Sequence, residues 1–139
     1  MRPKEMLMSK KVEYTHISVN DFLKVKPTGE FDKEESKKIL GKFAEVISDS
    51  GGNNILFDFR EAYAQVPLTY VDVYEFVAAI GQCRKPCRKI AVLTREGVPF
   101  NNAKFFELCA GNRGFTAEAF TSFEEAINWF SNAGDAKEL

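Results

Sequence analysis

The chain is short of the residues most often used for chemistry. It has one histidine, His16, and three cysteines, Cys83, Cys87 and Cys109. Cys83-Arg84-Lys85-Pro86-Cys87 has three residues between its thiols, and a zinc site wants four ligands at recurring spacing. His16 and Cys109 lie far away in sequence, so no metal site is expected. An odd number of cysteines in a chain of 139 residues also makes no disulfide framework, which points to reduced thiols and a cytoplasmic protein. A large excess of one charge is missing as well. The net charge of -1 gives no global electrostatic case for nucleic acid or an anionic membrane. No segment approaches the ~20 apolar residues of a spanning helix, and Met1 to Met8 contains no signal-peptide core. No stable membrane insertion is therefore expected. Nor is there an internal repeat, a linker or a low-complexity tract.

What the chain does have is phenylalanine, 13 copies, in an otherwise ordinary composition of 45% hydrophobic and 28% charged residues. That many aromatics leaves room for an apolar pocket or interface beyond the core. The central stretch is Asn54-Ile55-Leu56-Phe57-Asp58-Phe59-Arg60, a short apolar run bounded by turn residues, which reads as a strand buried on both faces. Upstream, Val12 to Val19 and Phe22 to Lys26 read as strands joined through Asn20-Asp21, an antiparallel hairpin. Asp32-Lys33-Glu34-Glu35 has capping-box spacing and opens a helix carrying Ile39, Leu40, Phe43, Val46 and Ile47. Downstream, Thr69-Tyr70-Val71-Asp72 opens a second helix with Tyr70, Val73, Phe76, Val77 and Ile80 as its apolar stripe and Gly81 as its stop. Arg88 to Leu93 reads as a buried strand. Asn101 or Asn102 caps a third helix, Phe115 to Phe120 forms a last strand, and Thr121 onward starts a fourth helix. The order is β-β-α-β-α-β-α-β-α, so strands after the hairpin should run parallel through right-handed crossovers. Residues 1–11 read as a flexible basic arm, 12–132 as the domain and 133–139 as a polar tail.

Four places invite a functional reading. Asp58, Arg60 and Glu61 cluster where a strand meets a loop, with Tyr63 and Thr69 nearby, and open α/β sheets bind ligands beyond the carboxyl ends of their strands. The competing account is an ion pair that orders the loop. Phe100, Phe105, Phe106 and Phe115 crowd the third helix, and adjacent Phe105 and Phe106 cannot both face the core. The leftover ring argues for a ligand pocket or a dimer face. Cys83 and Cys87 sit among Arg84, Lys85 and Arg88, which could lower a thiol pKa or meet an acidic partner, against the plainer reading of two ordinary thiols in a turn. His16 has Ser18 on the same strand face but no acid to complete a triad.

The ordered set of motifs resembles the STAS fold of bacterial anti-sigma-factor antagonists and sulfate-transporter tails. It is most similar to the SpoIIAA-like group of small stand-alone bacterial proteins. The residues that carry the resemblance are Gly29-Glu30-Phe31-Asp32, Asn54 to Arg60, Arg88 to Leu93, and Phe120 to Phe130. It spans roughly residues 12–132. The resemblance implies a mixed sheet of about five strands with an N-terminal hairpin and four helices packed on it. It also implies a regulatory or binding module rather than an enzyme. In the antagonists a phosphorylatable serine follows the third strand at a helix N-terminus, where free N–H groups and the helix dipole favour phosphate. Here Asp58 is followed by Phe59-Arg60-Glu61, and Thr69 is the nearest stand-in, with a role as helix cap competing for it.

The expectation is thus a non-catalytic STAS-like module, without cofactor or metal, that binds a protein partner or an apolar small molecule. The candidate binding residues are Asp58, Arg60, Tyr63, Thr69, Phe100, Phe105 and Phe106. A homodimer is one form a protein partner could take. The alternative is a phosphorylation-switched antagonist acting through Thr69.

Overall fold

The structure, a computed structural model, describes residues 11–49, 53–80 and 89–136. The elements run β1 (Val12–Ile17), β2 (Phe22–Pro27), β3 (Gly29–Phe31), α1 (Lys33–Ser48), β4 (Asn54–Asp58), β5 (Ala62–Ala64), α2 (Tyr70–Ile80), β6 (Ile90–Leu93), α3 (Val98–Gly111), β7 (Ala117–Phe120) and α4 (Phe123–Ala136). Five strands form one sheet in the order β1-β2-β4-β6-β7. β1 and β2 are antiparallel, pairing Val12 with Pro27 through Ile17 with Phe22, and every other neighbouring pair is parallel.

After the hairpin the chain steps through the sheet in one direction. Right-handed crossovers then place all three connecting helices on one face. The side chains agree. Val25, Ile55, Phe57, Ile90, Val92 and Ala119 pack with Ile39, Phe43 and Ile47 of α1, Val73 and Val77 of α2, and Ala103 and Phe106 of α3. The alternate residues Phe22, Leu56, Ala91, Leu93 and Phe120 face the other way, against Ala126 and Phe130 of α4. Side chains alternate between faces along a strand, so β4 and β6 need apolar residues on both. That is why Ile55-Leu56-Phe57 and Ile90-Ala91-Val92-Leu93 are unbroken apolar runs. β1, at the sheet's edge, is exposed from Glu13 to His16.

Local chemistry fixes the helix starts. Asp32 accepts from the Glu35 N–H at 2.8 Å while Glu35 accepts from the Asp32 N–H at 2.9 Å, the capping box read from the sequence. Thr69 and Asp72 make the same reciprocal pair at 3.1 and 2.9 Å.

The structure departs from the sequence reading in several details. α3 begins at Val98, not at an Asn101 or Asn102 cap, because Pro99 tolerates the first turn and Gly97, with φ of 95°, supplies the reversal before it. Tyr70, read as part of a buried stripe, is 53% exposed. Phe115 is buried but precedes β7, folding back so that its N–H donates to the Ala110 carbonyl at 2.9 Å. Residues 59–67 are not simply irregular: β5 pairs in parallel with β3, Gly29 opposite Ala62 and Phe31 opposite Ala64. α4 continues to Ala136, past the expected start of the tail. Lys11, placed in the flexible arm, is tied down, its carbonyl accepting from the Thr28 N–H at 2.7 Å. Cys83, Cys87, the basic residues around them, Gly81 and residues 1–10 lie outside the described residues.

Candidate functional site

Between the sheet and the three-helix layer lies a cavity of about 350 Å³ at the carboxyl ends of β4 and β6. Its floor is Phe57 and Val92 from the sheet. Ile39, Leu40 and Phe43 of α1, Val73 and Phe76 of α2, and Ala103 and Phe106 of α3 form its walls. The β3–β5 ribbon closes one end with Phe31, Ala62 and Ala64, followed by Pro67 and Leu68. Two hydrogen bonds tie the ribbon's two strands together at its ends: Gly29 N–H to the Glu61 carbonyl at 2.9 Å, and Gln65 N–H to the Phe31 carbonyl at 2.8 Å. Ala64, Pro67 and Val98 are exposed and mark the mouth.

The lining is apolar except for Ser36, Thr94, Arg95 and Asn102, and it includes no carboxylate, histidine or thiol. Asn102 is held by donating from Nδ2 to the Leu68 carbonyl at 3.0 Å. Arg95 sits just past β6. Its Nη1 donates to the carbonyls of Phe59, Arg60 and Ala62 at 3.2, 2.9 and 3.0 Å, and its guanidinium lies 4.2 Å from the centre of the Tyr63 ring. One arginine thereby fixes the whole turn between β4 and β5.

The predicted site residues divide between two faces of the sheet. Phe106 lines the cavity. Asp58 has the parity of Leu56 and turns to the α4 side, where its buried carboxylate takes the Arg60 Nε and Nη2 at 3.0 and 2.9 Å and the Arg60 N–H at 3.1 Å. Burial by itself opposes the charged form, but the hydrogen bonds from Arg60 and the charges of Arg60 and Lys24 outweigh it. The Asp58 carboxyl is therefore held below the ordinary carboxylate range. Arg60 in turn lies 5.8 Å from the Phe123 ring at the start of α4. Glu61 pairs outward with Lys26 at 3.0 Å. Tyr63 lies under Arg95. Thr69 caps α2 next to the lining residue Leu68. Phe105 stacks on Tyr70 with ring centres 4.5 Å apart, which accounts for the ring that adjacency to Phe106 left unplaced. Phe100 lies beside Lys104, 6.0 Å from its ammonium. Cys109 packs half-buried against the core. His16 is exposed and bonds Asp21 across the hairpin turn at 2.9 Å. Among the described residues no three His, Cys, Asp or Glu side chains gather to hold a metal ion.

The sequence reading did not single out Phe31, Phe43, Phe57, Phe59, Phe76 or Arg95 as site residues. A signal for some of them was present. Phe57 and Phe59 share a face by the two-residue period, and their rings stack 6.1 Å apart. Ile39 and Phe43 are four apart on α1 and so share a side. Arg95 is the first charged residue beyond the carboxyl end of an apolar strand, the end where such sheets bind ligands.

No family model matches the sequence, and no curated protein resembles it significantly. A solved structure does. It is an uncharacterised protein of the DUF3478 family with a SpoIIAA-like fold from Shewanella loihica PV-4, with a TM-score of 0.51 over 86% of this chain and 91% of that one, at 12% identity. The fold is therefore SpoIIAA-like, a mixed five-stranded sheet with four helices, as the sequence resemblance implied. No helix of the described residues is long and apolar enough to cross a membrane.

Proposed function

We propose that this chain is a non-catalytic binding module whose cavity under α1–α3 holds one small apolar molecule. The observation that carries the reading is the cavity itself: about 350 Å³ left open inside an otherwise closely packed aromatic core. Protein interiors ordinarily leave few voids larger than water, and small-molecule sites run from ~300 to ~1,000 Å³ with mostly apolar linings and a few fixed polar groups. Ala62, Ala64 and Ala103 are small residues in the lining, and larger ones there would fill the space. The polar lining offers hydrogen bonds and one cation, but no carboxylate, histidine or thiol to act as general base or to activate the Ser36 or Thr94 hydroxyl as a nucleophile. That composition favours holding a molecule over transforming one.

The test is native mass spectrometry of the protein purified from a bacterial host, followed by a denaturing mass on the same sample. The expected result is a bound species lost on denaturation. Leu40→Trp and Ala64→Trp, which add bulk to two walls of the cavity, should abolish it with the fold retained. A bare chain that also fails to bind an apolar fluorescent probe such as anilinonaphthalene sulfonate overturns the reading.

A protein partner is the second reading, favoured by the exposed Tyr70, Val71 and Tyr74 along the outer side of α2 and by Val66 just before it. Replacing Val71 and Tyr74 by Ser should abolish partner capture and leave probe binding unchanged.

A further inference from the structure

Among the described residues the cavity lining carries one cation, Arg95, and no carboxylate pairs with it. Arg95 is within ion-pair distance of no carboxylate among the described residues, whereas Arg60, Lys11, Lys26 and Lys104 each have one. Its three carbonyl contacts all go to Nη1. Carbonyl dipoles orient a guanidinium but do not neutralise it. Nε and Nη2 donate to no acceptor among the described residues. Those two nitrogens form the side-on edge of the guanidinium, whose parallel N–H groups match the two oxygens of a carboxylate.

The arginine is also preorganised. Three carbonyls on one side and the Tyr63 ring 4.2 Å away hold the head in place before any ligand arrives, so little side-chain entropy remains to be lost. The start of α3 adds to the same field. Val98 and Pro99 line the cavity, the Gly97 cap brings no side-chain acceptor, and the first turn carries no acidic residue. The free N–H groups of that first turn add to the positive field at this end of the cavity, with Glu96 standing just before the Gly97 cap.

We propose that Arg95 anchors the carboxylate of the cavity's ligand, so that the molecule is an amphiphilic monocarboxylate of the fatty-acid kind, with its chain among the phenylalanines and its head at Arg95. This rests on the apolar-cavity reading above and goes further by naming the ligand class.

The experiment compares decanoate, decanol and decyl phosphate, each below its micelle-forming concentration, by calorimetric titration of the wild-type chain, Arg95→Lys and Arg95→Met. The wild type should bind decanoate on the order of tenfold or more tighter than decanol, as expected for charge-assisted hydrogen bonds. Arg95→Met should bring that ratio towards one. Arg95→Lys should fall between, because it keeps the charge and loses the paired N–H edge. Equal affinity for decanoate and decanol on the wild type overturns the anchoring role and leaves the apolar cavity standing. Decyl phosphate binding tighter than decanoate overturns the carboxylate assignment. Binding of none of the three overturns the cavity reading and this inference with it. The wild-type comparison decides the matter even where Arg95→Met, which also releases the β4–β5 turn, does not fold.

Discussion

Replacing Asp58 by alanine distinguishes a brace from a binding site. The substitution removes three hydrogen bonds at once, from the Arg60 N–H, Nε and Nη2, to a carboxylate that is 0% exposed. Breaking a buried ion pair from one side costs ~3–5 kcal/mol when the remaining charge is stranded. Arg60 is not fully stranded, because its side chain is 40% exposed and can turn to water. We therefore expect a loss of about 3 kcal/mol, the lower end of that range. With a urea m-value of ~1.5 kcal/mol/M the midpoint should fall by ~2 M at unchanged m. A double-mutant cycle with Arg60→Met should give a coupling of about 1–2 kcal/mol. The pH dependence has a definite sign. The folded carboxyl is held below its unfolded value of ~3.9, so the unfolded chain binds more protons in between. The pair's contribution is complete above ~3.9 and is lost as pH falls through the folded pKa. Asp58→Asn should flatten the stability profile in that window. A loss under about 0.5 kcal/mol, together with weakened ligand or partner binding, would refute the bracing role and make the pair part of a recognition surface.

Three further outcomes follow from the packing. Phe43→Ala removes a fully buried ring that touches Phe57 and Phe59 at 5.0 and 5.9 Å; it should cost about 3 kcal/mol in chemical denaturation, the low end for such a change because the ring already borders open space. Thr69→Ala breaks the reciprocal cap on α2 and should cost about 1 kcal/mol with ligand affinity unchanged, and loss of an activity without loss of stability would instead favour a phosphorylation role. Glu118 titrates above the ordinary carboxylate range, through burial first and the neighbouring Glu107 charge second. The folded state therefore holds the extra proton, and stability should fall as pH rises from ~4.3 through the folded value; Glu107→Gln should shrink that slope, as read from thermal midpoints across pH.

The elements were legible wherever one physical signal was strong. The two buried runs around Leu56 and Val92 declared a sheet covered on both faces, and the Asp32–Glu35 and Thr69–Asp72 pairs declared helix starts. Where several arrangements satisfy the same pattern, the sequence fell silent. Ala62-Tyr63-Ala64 is three residues long, too short for a period to register, and its pairing with Gly29–Phe31 depends on tertiary placement. Asn101 and Asn102 are good caps in isolation, yet Gly97 and Pro99 start α3 a turn earlier, and Asn102 instead reaches the Leu68 carbonyl. Of the candidate site, the carboxyl end of the sheet could be named in advance, but not which face. Asp58 and Phe57 are adjacent and so point to opposite layers, and one stray residue of register exchanges them.

The topology explains why the opening lies on the three-helix face rather than under α4. On the α4 side a single helix covers the sheet, and aromatic rings fill the interface: Phe22 against Phe130 at 5.1 Å, Phe120 against Trp129 at 5.6 Å. On the other side three helices must meet one sheet, and their starts converge at the carboxyl ends of β4 and β6, where side chains from eight elements share the space. The β3–β5 ribbon enters at that end. Gly29, at φ 97°, takes the left-handed turn that lets the chain leave β2 and pair alongside Ala62. The ribbon therefore adds a wall where the sheet itself has ended, made of Phe31 and the small side chains of Ala62 and Ala64. Arg95 then ties the ribbon's incoming turn to the end of β6 through three carbonyls. The same guanidinium thus supports the wall and supplies the cavity's charge. A ligand anion at Arg95, as proposed above, would meet a cation already held by the turn it stabilises, and occupancy of the cavity would then be coupled to order of the β4–β5 turn through one side chain.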